Sequence, residues 1–206
     1  MTILNRNIGV ICTLALASII NITAYSQSQI EFEISSRSKL SLSGESTVTG
    51  FSCELKNNFN NTKQVMSAMI LGEVLKLDGA EIEIGIMNFD CANARMERDL
   101  QDAMKAEQFP SMMLRIMEID YMGGIDEILE NKCTTGLAEI TLGNISQCVD
   151  LNFNDIVLSD NTLSISGTKE LNMRAFEISP PQVLLGLIKV DELIVINFDL
   201  KVHLYL

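Results

Sequence analysis

The stretch Ile194-Val195-Ile196-Asn197-Phe198-Asp199-Leu200-Lys201-Val202-His203-Leu204-Tyr205-Leu206 decides the fold class. Ile194, Ile196, Phe198, Leu200, Val202, Leu204 and Leu206 fall on one face of an extended chain. Asn197, Asp199, Lys201, His203 and Tyr205 fall on the other. Such alternation marks a long strand of a half-buried antiparallel sheet. Glu81-Ile82-Glu83-Ile84-Gly85-Ile86 repeats the pattern, with Ile82, Ile84 and Ile86 on one side. Further strands read at 40–42, 48–55, 69–77, 112–119, 137–142, 145–158, 163–166 and 170–176, with turns at Gly143-Asn144 and Asp160-Asn161. One segment has helical spacing. Over 93–108, Met96, Leu100, Ala103 and Met104 share a face, and the helix is expected to end at Phe109-Pro110. Many strands and one helix predict an all-β domain, either a closed barrel or a sandwich.

The composition narrows the function. The 206 residues hold 15 Lys+Arg against 27 Asp+Glu, a net charge of −12, which argues against a nucleic-acid partner. The single His rules out sites built on two histidines, and His203 on the polar strand face reads as a solvated side chain. No metal site or cofactor is expected. Glu81/Glu83 and Glu31/Glu33 alternate with apolar residues and read as exterior charges, so no catalytic residue is assigned.

Residues 1–26 read as a signal peptide. Arg6 precedes the apolar, uncharged stretch 8–20, which is shorter than the ~20 residues of a membrane span, and Ala24-Tyr25-Ser26 offers small residues for cleavage. An uncleaved anchor is the alternative, and Cys12 lacks the small preceding residue of a lipoprotein site. Cleavage would leave residues 27–206 as one domain, one unit more negative, in a periplasmic or secreted setting. Cys53, Cys91, Cys133 and Cys148 remain there. An even count favours disulfides over a zinc knuckle, and three pairings are open.

Three stretches together resemble the YceI-like family, in its Bacteroidetes-type branch. The first runs over 38–48 and ends in Phe51-Ser52-Cys53. The second is Asn88-Phe89-Asp90-Cys91 with Met96, Leu100, Ala103 and Phe109-Pro110. The third is Gly167-Thr168-Lys169 with Met173, Phe176, Pro180-Pro181, Gly186, Lys189 and Phe198. Over 138–146 the chain departs from a Leu-Thr-Ile-x-Gly-Val-Thr-like stretch of better-known members. The resemblance implies an exported, lipocalin-like antiparallel β-barrel of about eight or more strands that binds a long-chain lipid or isoprenoid without catalysis. It places Cys53 and Cys91 within matched blocks and so implies their pairing. With a turn at Gly143-Asn144, moreover, Cys148 would sit opposite Glu139, out of reach of Cys133.

Under that resemblance, alternation nominates Ile82, Ile84, Ile86, Met112, Leu114, Ile116, Ile140, Leu142, Ile196, Phe198 and Leu200 as the tunnel lining. Eleven methionines, with Met66, Met69, Met87, Met112, Met113, Met117 and Met122 in or near strands, suit either an irregular lipid or an ordinary core. A second copy of the chain is a candidate partner. Two other readings stay open: an outer-membrane β-barrel, given the long terminal strand, and a β-sandwich interaction module.

Overall fold

A computed structural model describes residues 28–56, 59, 63–120, 135–183 and 187–205. The proposed signal peptide, Cys133, Met122 and Leu206 lie outside them. In chain order the strands are β1 (Ser28–Ile34), β2 (Lys39–Ser46), β3 (Gly50–Leu55), β4 (Gln64–Leu71), β5 (Val74–Asp78), β6 (Glu81–Gly85) and β7 (Phe89–Asp90). Helix α1 (Ala94–Ala103) follows. Then come β8 (Ser111–Asp120), β9 (Thr135–Leu142), β10 (Ile145–Ser159), β11 (Thr162–Asn172), β12 (Gln182–Val183) and β13 (Ile188–Tyr205).

The sheet closes on itself. Pairing runs β1-β4-β5-β8-β9-β10-β11-β13 and returns to β1, an antiparallel ring of eight strands. Closure satisfies the hydrogen-bonding edges that an open sheet would expose. A barrel, not a sandwich, is therefore the architecture.

The length of β13 makes closure possible. One edge pairs with β11 from Asn172↔Leu193 to Thr162↔His203. On the other edge, β2 takes the first half of β13 and β1 takes Val202 to Tyr205. β8 is shared the same way, with β6 on Ser111–Arg115 and β5 on Glu118–Asp120. One end of the barrel is thus walled by β1, β4 and β5. The other is walled by β2, β3 and β7, which a 3-10 turn at Ile86–Asn88 joins directly to β6.

Alternation places the apolar face of β13 inside, where Ile196, Leu200, Val202 and Leu204 are buried. Charges ring the outside instead: Arg115 Nε lies 2.8 Å from Glu81 and its Nη1 3.3 Å from Glu139, a carboxylate on each neighbouring strand. Both carboxylates hold the guanidinium above its ordinary pKa, chiefly through the Glu81 hydrogen bond. An apolar inside and a charged outside is the reverse of what a bilayer-spanning barrel needs.

Phenylalanine rings fill part of the inside by lying on glycines. A Cβ on Gly136 would come within 2.8 Å of the Phe153 ring, and one on Gly167 within 2.4 Å of the Phe198 ring. Those two rings meet edge to face at 6.3 Å. Neither ring tip nor the adjacent backbone oxygens can yield cheaply. Gly167→Ala is therefore expected to destabilise the protein by about 1–3 kcal/mol through overpacking, measurable by equilibrium urea unfolding.

Several boundaries differ from the sequence expectation. The expected strand over 69–77 is two strands, because Gly72 adopts φ +63° and turns the chain between Leu71 and Val74. Helix α1 ends at Ala103, well before Phe109-Pro110, where Lys105 enters the left-handed region at φ +53° and Met104 and Ala106 turn into the core. Val48 and Thr49 belong to the β2–β3 turn. The expected strands 163–166 and 170–176 are one strand that gives way to a 3-10 turn at Met173–Phe176. The turns at Gly143-Asn144 and Asp160-Asn161 are present. Gly143, Asp160 and Asn161 all have positive φ, as tight hairpins require.

Candidate functional site

The site begins at the α1 end of the barrel. Asn93 caps the helix, its side chain accepting from the amides of Arg95 and Met96. Glu97 accepts from the Cys91 amide at 3.3 Å, which ties the first turn back to β7. Cys91 is itself disulfide-bonded to Cys53 of β3, across a sequence separation of 38. Both half-cystines are buried, at 6% and 0% exposure. The pairing implied by the resemblance is the one present, and Cys148 sits opposite Glu139, exposed and free. The disulfide holds the helix as a roof over the barrel end.

Under that roof lies a cavity of about 310 Å³. Met96, Leu100 and Met104 descend from the helix region, and Leu42, Phe51 and Cys53 come from β2 and β3. Met112, Ile140 and Leu142 form the wall opposite, and Leu171, Met173, Phe176 and Ile178 follow from β11 onward. Ile188, Val190, Ile194 and Ile196 of β13 complete it. Polar groups are few: Ser46, Thr49, Asn93, Arg95 and Asp99. Arg95 and Asp99 form an i,i+4 pair at 4.0 Å. Val48, 65% exposed, stands among the lining residues near the start of β13, which Leu187, 78% exposed, precedes; Thr47 bonds the backbone on both sides of Ile188. A mostly apolar concavity with a few polar groups is the form of a small-molecule site, and this volume is at the low end of the roughly 300–1,000 Å³ such sites span.

A second, smaller cavity of about 50 Å³ lies deeper, and Ile140 and Ile196 line both. The nominated lining residues divide between them. Met112, Ile140, Leu142 and Ile196 face the larger cavity. Ile82, Ile84, Leu114, Ile116, Phe198 and Leu200, again with Ile140 and Ile196, face the smaller. Ile86 lines neither; it is fully buried in the 3-10 turn between β6 and β7. Sequence reasoning missed Met96, Met104 and Met173. The first two were visible as an apolar helical stripe, and Met173 falls on the alternating face of Leu171, although nothing in the alternation signals the 3-10 turn that begins there.

Solved structures share the fold. Burkholderia cenocepacia BcnA superposes with a TM-score of 0.57 at 14% identity, covering 80% of this chain and 95% of that one. The fold is the YceI-like, lipocalin-like barrel. A polyisoprenoid-binding domain from Saccharophagus degradans, implicated in plant cell wall breakdown, matches at TM-score 0.52 and 10% identity, covering 84% and 97%. No protein-family model and no curated protein matches the sequence. The likeness is one of fold.

His203 lies on the outside of this YceI-like barrel, edge-on to Tyr205 at 4.8 Å. The Tyr205 hydroxyl donates to Glu33 at 2.8 Å, and Lys63 stands 3.8 Å over its ring. That hydrogen bond, then burial and the Glu33 charge, hold the phenol above its ordinary pKa against the opposing Lys63. The cluster knits β1 to β13 at the closing seam of the ring.

Proposed function

We propose that the protein binds, and carries without catalysis, a long apolar molecule of the isoprenoid or lipid class. The observation that carries this reading is the apolar cavity of about 310 Å³ between α1, β2, β3 and the ring strands β8, β9, β11 and β13. Transfer of the ligand's chain from water into it would supply about 0.8 kcal/mol per buried CH2. Four methionines, Met96, Met104, Met112 and Met173, line it, and flexible thioethers accommodate a featureless chain. The polyisoprenoid-binding description of one fold neighbour supports the same class.

In this reading the ligand occupies the larger cavity against Met112, Ile140, Leu142 and Ile196, and the smaller cavity with Ile82, Ile84, Leu114, Ile116, Phe198 and Leu200 forms its floor. Export through residues 1–26 to the periplasm or medium belongs to the same proposal, supported by the disulfide, since such bonds persist in oxidising compartments. Placement in the Bacteroidetes-type branch rests on the three sequence blocks.

Native mass spectrometry of protein purified from its host, followed by organic extraction, tests the reading. An extractable apolar molecule at near-stoichiometric occupancy is expected; a consistently empty barrel across several preparations overturns it. Val190→Trp, which places an indole in the larger cavity from a partly exposed position, should cut occupancy several-fold with little loss of stability.

A further inference from the structure

Among the described residues, one inward position on the paired stretches of the ring carries a charge. Leu163, Ile165 and Leu171 of β11 pair with Val202, Leu200 and Ile194 on the inner face of β13, so Gly167 and Lys169 between them face inward too. Lys169 pairs with the buried Ile196, and its side chain lines the smaller cavity. Among the described residues on the paired stretches of the ring, no other inward position carries a charge. Lys169 is half-buried, and its ammonium makes no hydrogen bond or ion pair with any described residue.

Its place in the wall is equally distinctive. β10 and β11 pair as far as Asn152↔Thr168 and then part, so Lys169 is the first residue beyond the last rung. Two residues on, Leu171 lines the larger cavity, while Ile140 and Ile196 line both. Among the described residues no carboxylate lines the smaller cavity to compensate the lysine. A cation among apolar side chains attracts an anion more strongly than it would in water, because the local dielectric is low.

We propose that Lys169 receives the anionic end of an amphiphilic ligand, one terminal carboxylate or phosphate, whose apolar chain runs through the larger cavity. The inference rests on the apolar-ligand reading above and adds the headgroup chemistry. A charge-assisted hydrogen bond from the ammonium to the headgroup oxygen would select an acid over the alcohol of the same chain. The alternative is a lysine whose stem covers apolar wall while its ammonium stays hydrated, which selects nothing.

Delipidated protein titrated with two matched pairs, oleate against oleyl alcohol and farnesyl phosphate against farnesol, separates these. Wild type is expected to prefer the anion by about tenfold or more in at least one pair. Which pair responds assigns an acyl or a prenyl chain. Lys169→Met should bring that pair to near parity with the alcohol's affinity retained, and Lys169→Arg should restore the preference. Lys169→Gln serves if the Met variant does not fold. Parity in wild type for both pairs, or a preference that survives Lys169→Met or Lys169→Gln, overturns the assignment to Lys169 and leaves the apolar-ligand reading standing. If no probe binds at all, both fall together.

Discussion

Converting both Cys53 and Cys91 to Ala is expected to lower the unfolding free energy by about 2–5 kcal/mol, the range for removing a native disulfide from a small domain. Two contributions add here. The bond closes a loop with a sequence separation of 38, which restrains the unfolded chain, and it anchors a segment with little else to hold it. β7 pairs with β3 only at Glu54↔Asp90 and Leu55↔Phe89, and no residue of α1 is fully buried. Without the bond, β7 and the helix roof should exchange amide protons faster than the ring strands, and the 310 Å³ cavity should lose its cover. Equilibrium denaturation of the oxidised protein against the double variant gives the energy, and hydrogen exchange gives the location. Uniform protection in the variant would show that packing alone holds the roof.

Ile84→Asp should be at least as damaging. Ile84 is 1% exposed on β6, facing the smaller cavity with Leu114, Ile116 and Ile140. A carboxylate there stands among apolar side chains, with Lys169 the one cation among the described residues lining the same cavity. Burial therefore costs it several kcal/mol, or makes it take up a proton, wherever that ammonium does not reach it. Its folded-state pKa would then be raised. The penalty is smallest below the ordinary Asp pKa of about 3.9 and grows as pH rises toward the raised value, so the variant should be relatively more stable in acid. Ile84→Ala isolates the packing contribution, at about 2–4 kcal/mol, tempered by the ~50 Å³ of space already present. Glu83→Lys on the exposed face is the control and should change stability by no more than about 0.5 kcal/mol. Ligand retention divides the wall further. Ile84→Ala should register mainly in stability, whereas Ile194→Ala, beside the larger cavity, should register mainly in binding. Equal binding losses from the two would mean that the chain reaches the barrel floor.

Side-chain alternation was legible because it is local. In β6 and β13 the period of two alone assigned Ile84 inward and Glu83 outward, and the buried residues follow it. The hairpins at Gly143-Asn144 and Asp160-Asn161 were legible for a related reason: residues tolerant of positive φ stood between apolar runs, and the register Cys148↔Glu139 followed from the first turn. β1, by contrast, was not assigned as a strand, although Glu31 and Glu33 were placed on an exterior face. Its short alternation becomes decisive only when it meets Val202 to Tyr205 across the closing seam.

By itself the sequence determined which residues turn from water, since burial follows the chemistry of each side chain and the pleat of its own strand. Tertiary structure alone decided the rest. Ring closure depends on β13 being long enough to take β2 and β1 in succession, a pairing between segments more than a hundred residues apart. The cavity depends on what the wall leaves unfilled: at one level the rings of Phe153 and Phe198 lie over Gly136 and Gly167 and meet across the interior, and under α1 the rings of Phe51 and Phe176 line the space without closing it. The inward position of Lys169 likewise follows from its rung with Ile196 and not from its own character, because register with a distant partner decides which face a polar residue must take.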